Sequence, residues 1–243
     1  MTDTGRMRSQ NQDAAFATGE ALGILPNLFL IADGMGGHKA GEYASHQTIE
    51  IVRQVISDVA ESEPVQVMNQ AITTANRRIY EEAGADHTKT GMGTTFVAAS
   101  LEREHLLVAN VGDSRLYICG QRGLRQVTVD HSVVEEMIRK GEVDEAHART
   151  HPKRNLITRA VGAEETVRID FFQETLQTGD IILMCTDGLT NMVENDIIAE
   201  TLLQQISVDE KVRCLVDQAN ENGGRDNITA IVIEPFSDEV RTC

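Results

Sequence analysis

The chain lacks several features that would place it in other classes. Its four cysteines, Cys119, Cys185, Cys214 and Cys243, are scattered, with no Cys-x-x-Cys among them. That argues against structural zinc and reads as free thiols in the cytoplasm. No apolar run approaches the length of a membrane span. Residues 1–30 show no basic start followed by an apolar core, so no secretory leader is expected. No Pro-rich or Ser-rich linker, low-complexity tract or fixed-period repeat divides the 243 residues. Positive charge is scarce: 22 Lys and Arg stand against 38 Asp and Glu, a net charge of −16. Such a surface repels nucleic acid and anionic membranes, and an anionic substrate would need local cations to reverse the field.

What is present centres on one stretch, Leu28-Phe29-Leu30-Ile31-Ala32-Asp33-Gly34-Met35-Gly36-Gly37-His38. Five apolar residues read as a buried strand, and the strand ends on an acid and then on glycines. Glycine lets backbone approach whatever the carboxylate holds. A dinucleotide or P-loop fingerprint would need glycine or Gly-Lys-Ser/Thr where Lys39 and Ala40 stand. A plain turn remains open. A metal site gains because the device recurs: Ile181 to Cys185 runs into Thr186-Asp187-Gly188, Leu106 to Val111 into Gly112-Asp113, and Asp226-Asn227 precedes Ile228 to Ile233. Converging strand ends would crowd several carboxylates, which need cations to neutralise them. Oxygen-only ligands suit Mg²⁺ or Mn²⁺.

Periodicity supplies the remaining elements. Residues 1–13 read as polar and turn-like, and Ala14 to Ala17 as a short strand. Ile49, Val52, Ile56 and Val59 predict a helix over about 41–60. Met68, Ile72, Ala75 and Ile79 predict a second one after Pro64, stopped at Gly84. Short runs at 95–101, 105–111, 115–119 and 124–129 predict an antiparallel meander, with a hairpin turn at Gln121-Arg122-Gly123. Cys119 and Arg125 match the Cys-x₅-Arg spacing of cysteine-dependent phosphatases, but they fall in a strand pattern where a phosphate loop opening a helix is needed. Ser132 with Glu135 predicts a helix cap and Gly141 a stop; residues 130–160 otherwise read as an exposed insertion or lid. Strands at 168–176, 180–185 and 227–233 and helices at 194–205 and 209–220 complete an α+β sandwich: two antiparallel β-sheets flanked by pairs of α-helices.

These motifs, taken together, resemble the metal-dependent serine/threonine protein phosphatases of type 2C, in their compact bacterial branch. The match runs through Arg8…Asn11-Gln12-Asp13, Asp33-Gly34-Met35-Gly36-Gly37, Gly91-Met92-Gly93-Thr94-Thr95 and Val111-Gly112-Asp113-Ser114-Arg115. It continues through Asp130-His131-Ser132, Cys185-Thr186-Asp187-Gly188 and Gly224-Arg225-Asp226-Asn227. The resemblance implies a single catalytic domain over 1–236, a flap at about 130–156 and a loose tail over 237–243. It implies two Mg²⁺ or Mn²⁺ ions that activate water for direct attack on phosphoserine or phosphothreonine. Asp33 would bridge both ions, the Gly34 carbonyl would ligate one, and Asp187 and Asp226 would hold the other. Asp13 would act from an outer position, and Asp113 would share a third, weaker ion with Asp187. Arg8 would clamp the phosphate through its planar fork. No protein nucleophile is then required, in keeping with the absence of an Asp-x-Asp pair.

One place departs from the family pattern. Met35 stands where many members carry a histidine proposed as the general acid, and a thioether has no proton to give. His38 is the nearest candidate, and a metal-bound water is another. His131, His147 and His151 are expected at the surface. The expected partners are phosphorylated proteins, met by a cytoplasmic monomer. A dimetal hydrolase of small phosphomonoesters and a non-catalytic phosphoprotein-binding relative are the alternatives, the latter disfavoured because Asp33, Asp187 and Asp226 are all present.

Overall fold

The computed structural model describes residues 1–37, 39–148 and 151–236. In chain order its strands are β1 (Thr2–Asp3), β2 (Asp13–Thr18), β3 (Leu28–Met35), β4 (Gly93–Thr94), β5 (Phe96–Glu102), β6 (His105–Val111), β7 (Arg115–Gly120), β8 (Gly123–Gln126), β9 (Asp170–Thr175), β10 (Ile181–Cys185) and β11 (Ile228–Ile233). One antiparallel sheet runs β2-β3-β5-β6-β9, with β4 paired to β3, and the other runs β1-β11-β10-β7-β8. The helices are α1 (Lys39–Asp58), α2 (Pro64–Ala85), α3 (Val133–Arg139), α4 (Glu145–Ala148), α5 (Asp187–Thr190), α6 (Asn195–Leu203) and α7 (Val208–Glu221).

Strands apolar at every position need cover on both faces, and successive side chains point to opposite ones. On β3, Leu28, Leu30 and Ala32 join a core with Ile49, Val52 and Ile56 of α1 and Met68 and Ile72 of α2. Ile31 points the other way and meets Ile182, Met184, Leu116 and Ile231 from the second sheet. On β10, Leu183 and Cys185 turn outward to Ile198 and Leu202 of α6 and to Leu215 and Val216 of α7. Three apolar layers thus separate four structural layers, the expected sandwich.

Local signals explain most boundaries. The Ser132 hydroxyl accepts from the Glu135 N–H at the start of α3, and Gly141 follows with φ +73°. Gly123 takes φ +81° beside the two-residue turn that joins β7 to β8. Ser207 and Glu210 form a reciprocal cap that starts α7 at Val208. α2 runs to Ala85, one residue beyond the expected stop at Gly84. β8 ends at Gln126 because the Thr128 hydroxyl, where a ladder carbonyl would be needed, accepts from the Leu116 N–H at 3.1 Å.

The expectation that residues 1–13 are turn-like needs correction at the start. Thr2 and Asp3 add an edge strand, pairing with Thr229 and Ile228, and the Met1 ammonium donates to the Ala230 carbonyl at 2.8 Å. The Thr2 and Thr229 hydroxyls also bond at 2.7 Å, and a strand of two residues is too short to show a side-chain pattern. Cys119 lies fully buried in β7 opposite Leu124, and Arg125 pairs with Glu174, so the Cys-x₅-Arg spacing builds a hairpin. Cys119 and Cys185 are buried free thiols, Cys214 is exposed, and Cys243 and the expected loose tail at 237–243 lie outside the described residues. Among the described residues no helix is long and apolar enough to cross a membrane.

Leu183→Ala removes a fully buried side chain from the layer between the second sheet and its helices. The variant is expected to lose about 2–5 kcal/mol of stability, measured as a lowered urea midpoint with an unchanged slope.

Candidate active site

Antiparallel pairing brings the acids to one end of the sandwich. Asp13 opens β2 and stands opposite Asp33 near the end of β3. In the other sheet Cys185 of β10 pairs with Ala230 of β11, so Asp187, just past one strand, comes close to Asp226, just before the other. Asp113 follows β6 at the same end. A cleft of about 270 Å³ is lined by Asp33, Gly34, Asp113, Asp187 and Asp226, with Arg8 at its mouth and Met35 and Gly36 on one wall. The structure therefore gathers Arg8, Gly34 and four of the five sequence-predicted aspartates in one place. Asp13 sits behind them, fully enclosed: its Oδ2 accepts from the Thr186 hydroxyl at 3.0 Å, and its Oδ1 has no hydrogen-bond partner among the described residues. His38, the candidate acid, lies outside the described residues.

Two glycines permit the packing. A Cβ on Gly34 would come within 2.1 Å of the Gly41 carbonyl oxygen, so β3 and α1 approach backbone to backbone. A Cβ on Gly188 would come within 1.9 Å of the Asn227 carbonyl oxygen. Glycine is required at both places for space.

The Asp33 backbone is clamped. Its N–H donates to the Thr95 hydroxyl at 3.0 Å, and its carbonyl accepts from the Thr95 N–H and the Thr94 hydroxyl at 2.9 and 2.8 Å. The Ser114 hydroxyl, next to Asp113, bonds the Thr95 hydroxyl at 2.8 Å. Asn227 fixes the segment that carries Arg8: its Oδ1 accepts from the Gln12 N–H at 2.8 Å, and its Nδ2 donates to the carbonyls of Thr4 and Gln10 at 2.9 Å. Asn227, Thr94, Thr95, Thr186 and Gly41 were given no role from the sequence. All but Gly41 lie inside the matched motifs, and asking what satisfies the backbone around each acid would have found them.

Burial and mutual repulsion raise the acids' pKa values. Desolvation pushes Asp13 up to about 7, with Asp187 and Asp226 adding to it and the Thr229 and Thr186 hydroxyls pulling back. Asp187 rises to about 6, first by burial and then by Asp226. Burial also lifts Asp33 and Asp113 well above the ordinary range; Asp13, Asp187 and Asp113 add to the first, Asp187 and Asp130 to the second. Oxygen donors crowded until they resist ionising, with one carboxylate oxygen unpaired, suit a hard divalent cation. Among the described residues no three His, Cys, Asp or Glu side chains form a ready-made ligand set. Two of the acids hold other donors: Asp226 Oδ2 pairs with Arg8 at 2.8 Å, and Asp187 Oδ2 accepts from Asn191 at 2.9 Å.

His131 corrects an expectation. It is 7% exposed, not at the surface. Its Nδ1 accepts from the Gly112 N–H at 2.9 Å, and its Nε2 lies 3.1 Å from Asp170 Oδ2. Burial lowers its pKa, so it holds the loop before Asp113 as a neutral ring. His147 is exposed and His151 half-buried. The insertion is tied down at its base: Val133 and Leu156 join at 2.8 Å, as do Thr158 and His131. Asn155 and Ile157 from its far end line the cleft.

Raised carboxyl pKa values mean that stability is lost as pH climbs from the ordinary value of 3.8, and the loss is complete only above about 6 for Asp187 and about 7 for Asp13. A cation relieves that loss, and protons compete with it below. Excess Mn²⁺ should therefore raise the melting temperature more at pH 8 than at pH 5.5 in scanning calorimetry; an equal gain at both would contradict the assignment.

Comparison with known proteins agrees with this geometry. The sequence pattern of Protein phosphatase 2C matches residues 5–228. The chain is 37% identical over 242 residues to the serine/threonine phosphatase stp of Listeria welshimeri, covering 96% of this chain and 93% of that one. The structure of the S. agalactiae serine/threonine phosphatase superposes with a TM-score of 0.88 at 38% identity, covering 96% of each chain. The catalytic domain of the phosphatase PstP, solved in complex with two manganese ions, superposes at 0.83 with 31% identity over 96% of this chain and 94% of that one. The chain belongs to the protein phosphatase 2C family.

Proposed function

We propose that this chain, a metal-dependent protein-serine/threonine phosphatase, builds its reaction centre from Asp33, the Gly34 carbonyl, Asp187 and Asp226 as ligands of two Mg²⁺ or Mn²⁺ ions. Asp113 and Asp187 would take a third, weaker ion. The observation that carries this reading is the meeting of these groups in one cleft with an arginine at its mouth. When bound, the cations supply Lewis acidity, which generates a nucleophile from water and steadies charge on the phosphoryl group.

The chain's own groups do the positioning. Arg8 is half exposed and anchored through Asn227, which fixes the Thr4–Gln12 segment, so its fork can leave Asp226 for two phosphoryl oxygens. The Asp13 Oδ1, which meets no hydrogen-bond donor among the described residues, is an acceptor suited to orient a water from behind the ligands. The leaving alcohol's proton comes from His38 or from water, because Met35 on the cleft wall has none. Phosphorylated proteins are the substrates, and the insertion at about 130–156 acts as the flap. The −16 charge supports a partner set without nucleic acid or anionic membranes, and a monomer suffices for the site.

In Mn²⁺ the chain should hydrolyse an aryl phosphate and a phosphothreonine peptide, and excess chelator should abolish both activities. Asp187→Ala should lower kcat by more than about a hundredfold. Arg8→Ala should chiefly raise KM, by about tenfold, the worth of a charge-assisted hydrogen bond. Undiminished turnover in chelator would contradict the reading.

A further inference from the structure

A groove opens at the end of the sandwich away from the acids. It lies where β5 ends and β6 begins, beside the loop before β3, the start of α2 and the end of β9. The seven residues of β6 span about 20 Å, so the groove stands roughly that far from Asp113. Its volume is about 670 Å³, within the range of pockets that enclose a ligand. The floor is apolar: Leu25 and Leu106 are almost fully buried there, and Ile24, Val65 and Leu107 are half-buried. Polar groups on the walls are matched. The Ser100 hydroxyl donates to the Asn27 carbonyl at 2.9 Å, and Arg125 holds Glu174 at 2.8 Å. The rim is exposed and polar, made by Gln173, Thr175, His105, Glu63 and Glu102. His105 lies 3.7 Å from Glu104. The Glu63 and Glu102 carboxylates have no ion-pair partner among the described residues, none of which lines the groove with a lysine or arginine.

An apolar floor inside an acidic rim fits apolar side chains flanked by lysine or arginine. The start of α2 suits a polypeptide in particular. Glu63 makes no side-chain capping bond there, so the N–H groups of the first turn can meet the carbonyls of a visiting backbone. The net charge of −16 opposes the arrival of a phosphate at the cleft. A basic segment elsewhere on the same substrate reverses that opposition, and once bound it holds the phosphoresidue at a high local concentration.

We propose that this groove is a docking site for phosphoprotein substrates, taking a segment of Leu, Ile or Val side chains flanked by Lys or Arg and separate from the phosphoresidue. It rests on the phosphatase reading above, and the test separates the two. A labelled, unphosphorylated peptide of leucines set between lysine pairs is titrated by fluorescence anisotropy, beside versions with Glu for Lys and with Ser for Leu. The original should bind about tenfold or more tightly than either version, since it alone joins charge to burial. Glu63→Lys with Glu102→Lys reverses two exposed rim charges and should weaken binding about tenfold. Val65→Trp fills the groove and should do likewise. The segment is then joined to a phosphothreonine peptide by about 15 Gly and Ser residues, which average about 20 Å end to end. The joined peptide should exceed the free one in kcat/KM by about tenfold or more, and the charge reversal should remove the gain. Aryl-phosphate turnover should stay unchanged in every variant. Equal binding of the Glu or the Ser version overturns the docking site. So does an affinity untouched by the variants, or a joined peptide turned over no faster than the free one. A dimer that Val65→Trp converts to a monomer would give the groove to a second copy of the chain and overturn it as well. A protein inert toward the aryl phosphate would overturn the phosphatase reading and leave the peptide binding standing.

Discussion

Carboxylates withdrawn from water repel one another, and this fold holds five of them at one end. Asp13, pushed up to about 7 behind the cleft, shows the size of the cost: keeping it ionised at neutral pH takes on the order of 4 kcal/mol. A small protein tolerates such a centre only if the surrounding structure over-determines it. Here the acids stand at the ends of strands whose middles are buried on both faces, so none can retreat without pulling apolar side chains into water. Oxygen donors forced together in this way leave one productive partner, a divalent cation.

The supporting contacts have a common logic. Thr94 and Thr95 hold both backbone groups of Asp33, Asn227 ties down the segment bearing Arg8, and His131 fixes the turn before Asp113. Arg115 makes a fork to Asp130 at 2.7–3.0 Å and donates to the Tyr117 hydroxyl, giving the neighbouring acid its own counter-charge. Asp130 is thus neutralised within the protein, whereas among the described residues Asp33 and Asp113 meet no such fork.

Much of this was legible in the sequence. An apolar run too short for a helix and ending on an aspartate reads as a buried strand that delivers an acid, and three such endings with Asp226-Asn227 foretell the convergence. The helices were visible as stripes, because Ile49, Val52 and Ile56 must face one way. What escaped detection had no pattern to show. β1 is only two residues long, α5 is a single turn, and β8 stops where one threonine hydroxyl intervenes. His131 reads like any polar loop residue, and only the Gly112 N–H beside it reveals why it is buried. The role of Asn227 depends on three backbone groups distant in sequence, which no spacing rule encodes.

The central claim is that these strand-end oxygens hold divalent ions. It is tested most directly by anomalous diffraction at the manganese edge from crystals of the Mn²⁺-loaded protein. The expected map carries two strong peaks flanking the Asp33 carboxylate, one against the Gly34 carbonyl and one against Asp187 and Asp226. A fully active enzyme whose crystals show no anomalous density in that cleft would contradict the account.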